Sequence, residues 1–135
     1  MERLRILIAD DDRDCAGALA ALCENHRYTV REAYDGPYAL KIANELRPHV
    51  AVLDLGMPSI DGYEVCRKIR SLPWARDTLL IALSGRGQFA DRVLSQDSGF
   101  DYHITKPISF DQVLALIERS NNRLHSQAGL ARSIR

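Results

Sequence analysis

The chain contains short apolar runs that stop abruptly at aspartate. The run Leu4–Ala9 leads directly into three consecutive aspartates that begin with Asp10, and the run Val50–Leu53 ends at Asp54. Short β-prone runs of this kind are typical of buried strands in a parallel sheet, whose carboxyl ends open into the ligand crevice of an α/β fold. The pattern predicts a metal site that has a nucleophile among its carboxylates.

Strand-like and helix-like patterns alternate along the chain, which indicates βα units and a parallel sheet. Five pairs are predicted. The predicted strands are Leu4–Ala9, Tyr28–Ala33, Val50–Asp54, Leu79–Leu83 and Tyr102–Thr105. The predicted helices run from about Asp14 to Asn25, from Gly36 to just before Pro48, from Gly62 to Ser71, from Phe89 to Asp97 and from Ser109 to Asn122. Residues 1–122 are therefore predicted to form one domain, and residues 123–135 a basic C-terminal tail that is frayed or disordered.

Composition narrows the classes of function. The 135 residues fit one domain, and 46% hydrophobic residues suffice for its core. The 18 basic and 18 acidic side chains cancel, so overall charge gives no reason to expect direct binding to nucleic acid or membranes. Cys15, Cys23 and Cys66 lack metal-site or CxxC spacing and are predicted to be free thiols. We expect a cytoplasmic protein, because neither a signal-peptide core nor a membrane-length apolar run is present.

Polar side chains follow four of the five predicted strands. Right-handed crossovers bring the carboxyl ends of all strands to one edge of the sheet, where these side chains can converge: Asp10, Asp11, Asp54, Ser84 and Lys106. Three carboxylates carry three negative charges, and Lys106 offsets one of them. The remaining two match a divalent cation, and oxygen ligands favour Mg²⁺ or Mn²⁺ over zinc.

The same stretches resemble the motifs of the receiver domains of two-component response regulators. They are Ile-Leu-Ile-Ala-Asp10-Asp11-Asp12, Val-Leu-Asp54-Leu-Gly56-Met57-Pro58-Ser-Ile-Asp61-Gly62, Ala-Leu-Ser84-Gly85 and Thr-Lys106-Pro107, in the family's order and at its intervals. The resemblance runs from about Leu4 to Arg119 and implies a flavodoxin-like doubly wound (βα)5 fold with strand order 2-1-3-4-5. The stretches around Ser84 and His103 are similar to receivers of hybrid histidine kinases.

Carried over to matching positions, the resemblance implies a role for each residue of the site. Asp54 would be the phosphoacceptor, and Ser84 and Lys106 would bind its phosphoryl group. The implied Mg²⁺ (or Mn²⁺) ligands are Asp10 through water, Asp11, Asp54 and the backbone carbonyl of Gly56. The bond between Lys106 and Pro107 is commonly cis in the family. The chain would then be a signalling domain rather than an enzyme, since it would catalyse only its own phosphorylation and dephosphorylation.

The resemblance also implies partners. A histidine kinase or a histidine phosphotransfer protein would supply the phosphoryl group in a phosphorelay. A downstream protein would bind the face formed by the fourth helix, fifth strand and fifth helix. Neither direct nucleic-acid binding nor membrane binding is expected, and a homodimer is left open.

Two other functions remain open. One is a receiver-like interaction module that is never phosphorylated. The other is a Mg²⁺-dependent phosphohydrolase of the haloacid-dehalogenase type, which also uses an aspartate nucleophile. The hydrolase motif has Thr or Val where this chain has Asp14, and the chain has no room for a substrate cap domain. Asp12 and Asp14 are instead predicted to begin a helix, Asp12 as its cap.

Four further positions carry predictions. His103 occupies a position where relatives often have an aromatic residue that turns inward on activation, but it fits equally well as a strand-end residue without a role. Phe89 and Phe100 are predicted to pack in the core or against helices. Arg86 is predicted to be solvated, with a part beside the site as the alternative.

Overall fold

The structure, a computed structural model, describes residues 2–85 and 92–134, and within them five β-strands alternate with five α-helices. The strands are β1 (Arg5–Ala9), β2 (Thr29–Ala33), β3 (Val50–Asp54), β4 (Leu79–Ser84) and β5 (Tyr102–Thr105). The helices are α1 (Arg13–Asn25), α2 (Gly36–Leu46), α3 (Gly62–Arg70), α4 (Arg92–Ser98) and α5 (Phe110–Ile134), with a short 3₁₀ helix at Pro73–Ala75.

The strands form one parallel sheet in the order β2-β1-β3-β4-β5, which confirms the predicted fold class. Strand β3 is buried throughout, whereas the edge strand β2 alternates between exposed and covered residues. The register pairs Ala9 with Leu53, Asp54 with Leu83 and Ser84 with Thr105. The carboxyl ends of four strands therefore align at one edge of the sheet.

Helices cover both faces of the sheet, and each face has its own hydrophobic core. Successive side chains of a strand point to opposite faces, so neighbouring residues of β1 belong to different cores. Leu7 packs with residues of α2 and α3, whereas Ile6 and Ile8 pack with residues of α1 and α5. Phe100 lies in the core beside α3, as predicted, whereas Phe89 and Arg86 lie outside the described residues.

Aspartate side chains fix the starts of three helices. The carboxylate of Asp12 accepts hydrogen bonds from the backbone N–H groups of Asp14 and Cys15, which confirms its predicted capping role. Asp35 and Asp61 cap α2 and α3 in the same way. Asp14 lies in the first turn of α1, where its charge favours the positive end of the helix dipole.

Helix α5 extends beyond its predicted end. The end predicted near Asn122 is wrong, because the helix continues to Ile134. The additional residues include no proline, and Gly129 costs a helix only about 1 kcal/mol. Leu124 also packs against the core on the α1 side, which favours continuation. The division of the chain at residue 122 into a domain and a tail stays a prediction.

None of the helices in the described part of the chain combines the length and the apolar character that crossing a membrane requires. The three cysteines are free thiols, as predicted.

Candidate functional site

Four of the predicted site residues stand at adjacent strand ends. Asp54 and Ser84 are the last residues of β3 and β4, while Asp10 and Lys106 directly follow β1 and β5. The N–H of Asp10 donates to the carbonyl of Ala33, and the N–H of Lys106 donates to the carbonyl of Ser84. Because these bonds extend the sheet ladder by one residue, the backbone places the side chains above the sheet edge.

Three carboxylates meet at this edge. Asp10, Asp11 and Asp54 each offer an oxygen atom, and these atoms all lie within 4.8 Å of one another. Asp10 is fully buried and Asp54 is 5% exposed, whereas Asp11 is exposed. Burial, followed by the negative charge of Asp10, raises the pKa of Asp54 to about 7, although Lys106 and the Gly56 N–H oppose the shift. Both burial and the neighbouring carboxylate thus disfavour the charged form of Asp54.

Lys106 places a positive charge beside these acids. Its Nζ atom lies 2.8 Å from Oδ2 of Asp10 and 3.9 Å from Oδ1 of Asp54. Burial lowers the pKa of Lys106, but its contacts with Asp10 and Asp54 outweigh this and raise the pKa, so the side chain is a cation. Beyond this ion pair, Asp10 Oδ2 has no hydrogen-bond partner within residues 2–85 and 92–134. The bond between Lys106 and Pro107 is cis, as the resemblance implied.

Cys15 lies beside the same acids, but its thiol is not reactive enough to be the nucleophile of the site. Burial and the negative charge of Asp10 raise the pKa of its thiol to about 11, so the thiol stays protonated at neutral pH. The carboxylate of Asp54 is therefore the better nucleophile of the two.

Two glycines shape the backbone around Asp54. The N–H of Gly56 donates to Oδ1 of Asp54 at 3.4 Å, in the turn that follows β3. Gly62 begins α3, and a Cβ atom there would lie 2.5 Å from the carbonyl oxygen of Asp54 and 2.8 Å from Cα of Leu55. The start of α3 thus packs directly on the backbone of the candidate nucleophile. The sequence showed Gly62 as part of a motif but not this contact.

Replacement of Gly62 by Ala is expected to destabilise the protein by about 1–3 kcal/mol. The added methyl group would clash with backbone atoms of Asp54 and Leu55, which cannot move aside as a flexible side chain can. Gly17→Ala is the matched control. It lies inside α1, where the nearest atom is 4.0 Å away, so the same substitution should stabilise the helix by up to about 1 kcal/mol. Urea unfolding of both variants measures the difference, and equal effects would contradict the packing argument.

Ser84 and His103 are in direct contact. Nε2 of His103 lies 2.9 Å from Oγ of Ser84, and its Nδ1 lies 3.3 Å from Oγ of Ser95 on α4. Ser84 and Ser95 are only 2% and 3% exposed, and His103 is half-buried. These contacts place His103 beside a predicted site residue, and its part in the site stays a prediction. Nothing in the sequence indicated Ser95, because its proximity depends on how α4 packs against β5.

The site combines a buried carboxylate, oxygen ligands, a cation and a hydroxyl group. A carboxylate can attack phosphorus, while an ammonium and a hydroxyl stabilise the oxygens of a phosphoryl group. The residues expected to converge from the sequence, Asp10, Asp11, Asp54, Ser84 and Lys106, are thus brought to one edge of the sheet.

Comparisons with known proteins agree with this arrangement. Response regulator MprA of Mycobacterium ulcerans is 38% identical over 112 residues, which are 83% of this chain and 47% of that protein. The chain therefore spans about half the length of the curated relatives it matches. The receiver domain of Francisella response regulator 1452 has a TM-score of 0.78 at 28% identity, covering 90% of this chain and 99% of that one.

A CheY-like response regulator receiver domain protein from Methanospirillum hungatei shares the fold, with a TM-score of 0.82 at 24% identity, covering 93% of this chain and 99% of that one. The sequence model of the response regulator receiver domain family matches residues 6–118 of this chain. This range includes every strand except the first residue of β1, as well as all the residues that meet at the sheet edge. The chain therefore belongs to the family of response regulator receiver domains.

Proposed function

We propose that Asp54 accepts a phosphoryl group and that the resulting aspartyl phosphate signals through protein contacts in a phosphorelay. The observation that carries this proposal is the environment of Asp54. Its buried carboxylate stands at a strand end between other oxygen ligands and the ammonium of Lys106. A phosphoryl group bound there would contact both a nucleophile, the carboxylate of Asp54, and a positive charge, the ammonium of Lys106.

The residues present fit a divalent cation. Beyond its ion pair with Lys106, the buried Oδ2 of Asp10 has no hydrogen-bond partner among the described residues, and burial followed by the negative charge of Asp10 raises the pKa of Asp54. Asp10, Asp11, Asp54 and the backbone carbonyl of Gly56 would hold Mg²⁺ or Mn²⁺, whose preferred ligands are oxygen atoms. When bound, such an ion neutralises the charge of the phosphoryl oxygens.

The residues of the chain account for the remaining chemistry. An oxygen of Asp54 attacks the phosphorus of a phosphohistidine in line, the new O–P bond forms as the N–P bond breaks, and the imidazole leaves with its electron pair. Lys106 pairs with the phosphoryl oxygens, and the hydroxyl of Ser84 donates a hydrogen bond to one of them. Phosphorylation changes Asp54 from one negative charge to nearly two, so it draws both groups toward the site.

Surfaces near the site suit protein partners. A cleft of about 520 Å³ beside Lys106 is lined by apolar side chains that include Ile108 and Phe110, and a histidine kinase or histidine phosphotransfer protein would approach Asp54 there. Val93, Leu94 and Tyr102 are exposed on α4 and β5, where a downstream protein or a second copy of the chain would bind. We propose that the protein is cytoplasmic. We do not expect it to bind nucleic acid directly or to bind membranes.

Incubation with acetyl phosphate and Mg²⁺ tests the function. We expect the wild-type protein to gain the mass of one phosphoryl group and Asp54→Asn to gain none, because the amide removes the nucleophile. Asp14→Asn is the matched control, since this acid lies in the first turn of α1 and should not affect the gain.

Each alternative function predicts a different result. A folded wild-type protein without any mass gain would indicate an interaction module that works unphosphorylated. Steady release of phosphate from diverse monoesters would indicate a phosphohydrolase. In the proposed function, the chain catalyses only its own phosphorylation and dephosphorylation.

A further inference from the structure

A chain of hydrogen-bonding groups connects helix α4 to the candidate site. It runs from Oγ of Ser95 to Nδ1 of His103 over 3.3 Å, and from Nε2 of His103 to Oγ of Ser84 over 2.9 Å. Both serines are almost fully buried, at 2% and 3% exposure, so water does not readily replace either contact. The hydroxyl that would bind the phosphoryl group is therefore linked to a residue outside the strand-end cluster.

The two hydroxyl groups of α4 differ in their partners. The hydroxyl of Ser98 donates to the carbonyl of Leu94 within the same helix at 2.7 Å, which is a common arrangement for serine in helices. Within the described ranges, the hydroxyl of Ser95 contacts only Nδ1 of His103. The hydroxyl of Ser95 thus contacts β5, whereas that of Ser98 bonds within α4.

The hydrogen bonds along this chain of groups can run in either of two directions, which we call its two proton orders. A neutral imidazole has one N–H donor and one acceptor nitrogen, whereas a hydroxyl can donate one bond and accept others. In one order, Ser84 donates to Nε2 and Nδ1–H donates to Ser95. In the other order, Ser95 donates to Nδ1 and Nε2–H donates to Ser84, so the hydrogen of Ser84 is available for another acceptor.

We propose that Ser95 is a positioning residue that makes Ser84 a donor to the phosphoryl group through His103. This inference rests on the proposed function, in which a phosphoryl group forms on Asp54. Phosphoryl oxygens only accept hydrogen bonds, so they select the order in which Ser95 donates to His103 and His103 donates to Ser84. Donors and acceptors that follow one another in this way strengthen each other's hydrogen bonds.

The proton order makes Ser95 responsive to phosphorylation. Its hydroxyl donates to His103 when Asp54 is phosphorylated, and can accept from His103 when it is not. The hydrogen bond between helix α4 and β5 therefore reverses its direction when Ser84 binds the phosphoryl oxygen. An aromatic residue without ring nitrogens at position 103 could not form this connection, because it has no acceptor for the Ser95 hydroxyl.

The tautomer of His103 gives a direct test. Nitrogen NMR of imidazole-labelled protein at about pH 8, with the signal assigned by His103→Asn, distinguishes the Nε2–H form from the Nδ1–H form. In the wild-type protein under continuous acetyl phosphate and Mg²⁺, we expect the Nε2–H form to dominate. Ser95→Ala should reduce the population of this form and slow phosphoryl uptake about two- to tenfold, the loss expected for one hydrogen bond.

Ser98→Ala is the matched control, because Ser98 lies on the same helix with the same 3% exposure but bonds elsewhere. It should leave both the tautomer and the uptake rate unchanged. A dominant Nδ1–H form in the phosphorylated wild-type protein would overturn the inference, as would equal effects of the two serine variants. These outcomes leave the proposed function intact, whereas a wild-type protein that takes up no phosphoryl group overturns both.

Discussion

Replacement of Lys106 by Met is expected to slow phosphoryl uptake from acetyl phosphate about a hundredfold. Lys106 Nζ lies 3.9 Å from Oδ1 of Asp54, where the phosphoryl group develops its charge in the proposed function. Methionine has a similar length and remains compatible with the partly covered site, so the main change is the loss of the positive charge. The rate of mass gain in the presence of saturating Mg²⁺ measures this effect.

The same variant should bind Mg²⁺ more tightly. Lys106 competes with a metal ion for Asp10, whose Oδ2 atom lies 2.8 Å from the ammonium. Opposite changes in uptake and in metal affinity, the latter followed by calorimetry, distinguish a specific role from simple unfolding. Lys41→Met, on the exposed surface of α2, should alter neither quantity. Uptake at the wild-type rate in the Lys106 variant would contradict the role given to the ammonium.

In the absence of metal, Asp54→Asn is expected to stabilise the protein at about pH 8 by a few kcal/mol. An unfolded Asp loses its proton near pH 4, whereas the folded protein keeps the proton of Asp54 up to about pH 7. Between these values the folded state binds more protons than the unfolded state, so the free energy of unfolding falls as the pH rises. Below about pH 4 both states are protonated and the destabilisation is absent.

Denaturant unfolding in EDTA at several pH values measures this behaviour. The wild-type protein should lose stability between about pH 4 and pH 7, and Asp54→Asn should lose less, because its amide does not ionise. Mg²⁺ should restore stability to the wild-type protein above about pH 7 and have a weaker effect on the variant. Asp14→Asn should follow the wild-type curve. Identical pH profiles for the wild-type protein and Asp54→Asn would show that the raised pKa does not belong to Asp54.

The sheet could be predicted from the sequence because each strand is a short apolar run with a sharp end. The strands β3 and β5 begin and end at the predicted residues, since Pro48 and His49 precede β3, its apolar run stops at Asp54, and Asp101 and Lys106 flank β5. The predicted convergence of Asp54, Ser84 and Lys106 followed from the same pattern. In a parallel sheet, residues that directly follow different strands lie at the same edge of the sheet, so their position in the sequence predicts their position in the fold.

Other features depend on contacts between distant segments and could not be predicted. The extent of α5 was underestimated because its last part lacks clear apolar periodicity, although its residues tolerate a helix. The contact between Ser95 and His103 arises only when α4 packs on β5. The close approach of Gly62 to the backbone of Asp54 likewise requires α3 to be docked. Local sequence patterns carry no information about such distances.

The strand order has a consequence for how the protein becomes active during its synthesis. Strand β1 lies beside β3 in the sheet, although α1, β2 and α2 separate the two in the chain. Asp10 and Asp54 therefore become neighbours only after a long-range strand pairing, and Lys106 joins them only after β5 has docked. A nascent chain that ends before residue 106 carries Asp54, the proposed nucleophile, together with Asp10 and Asp11, but lacks the counter-charge of Lys106. The site of the proposed phosphoryl transfer is thus complete only after the last strand has joined the sheet.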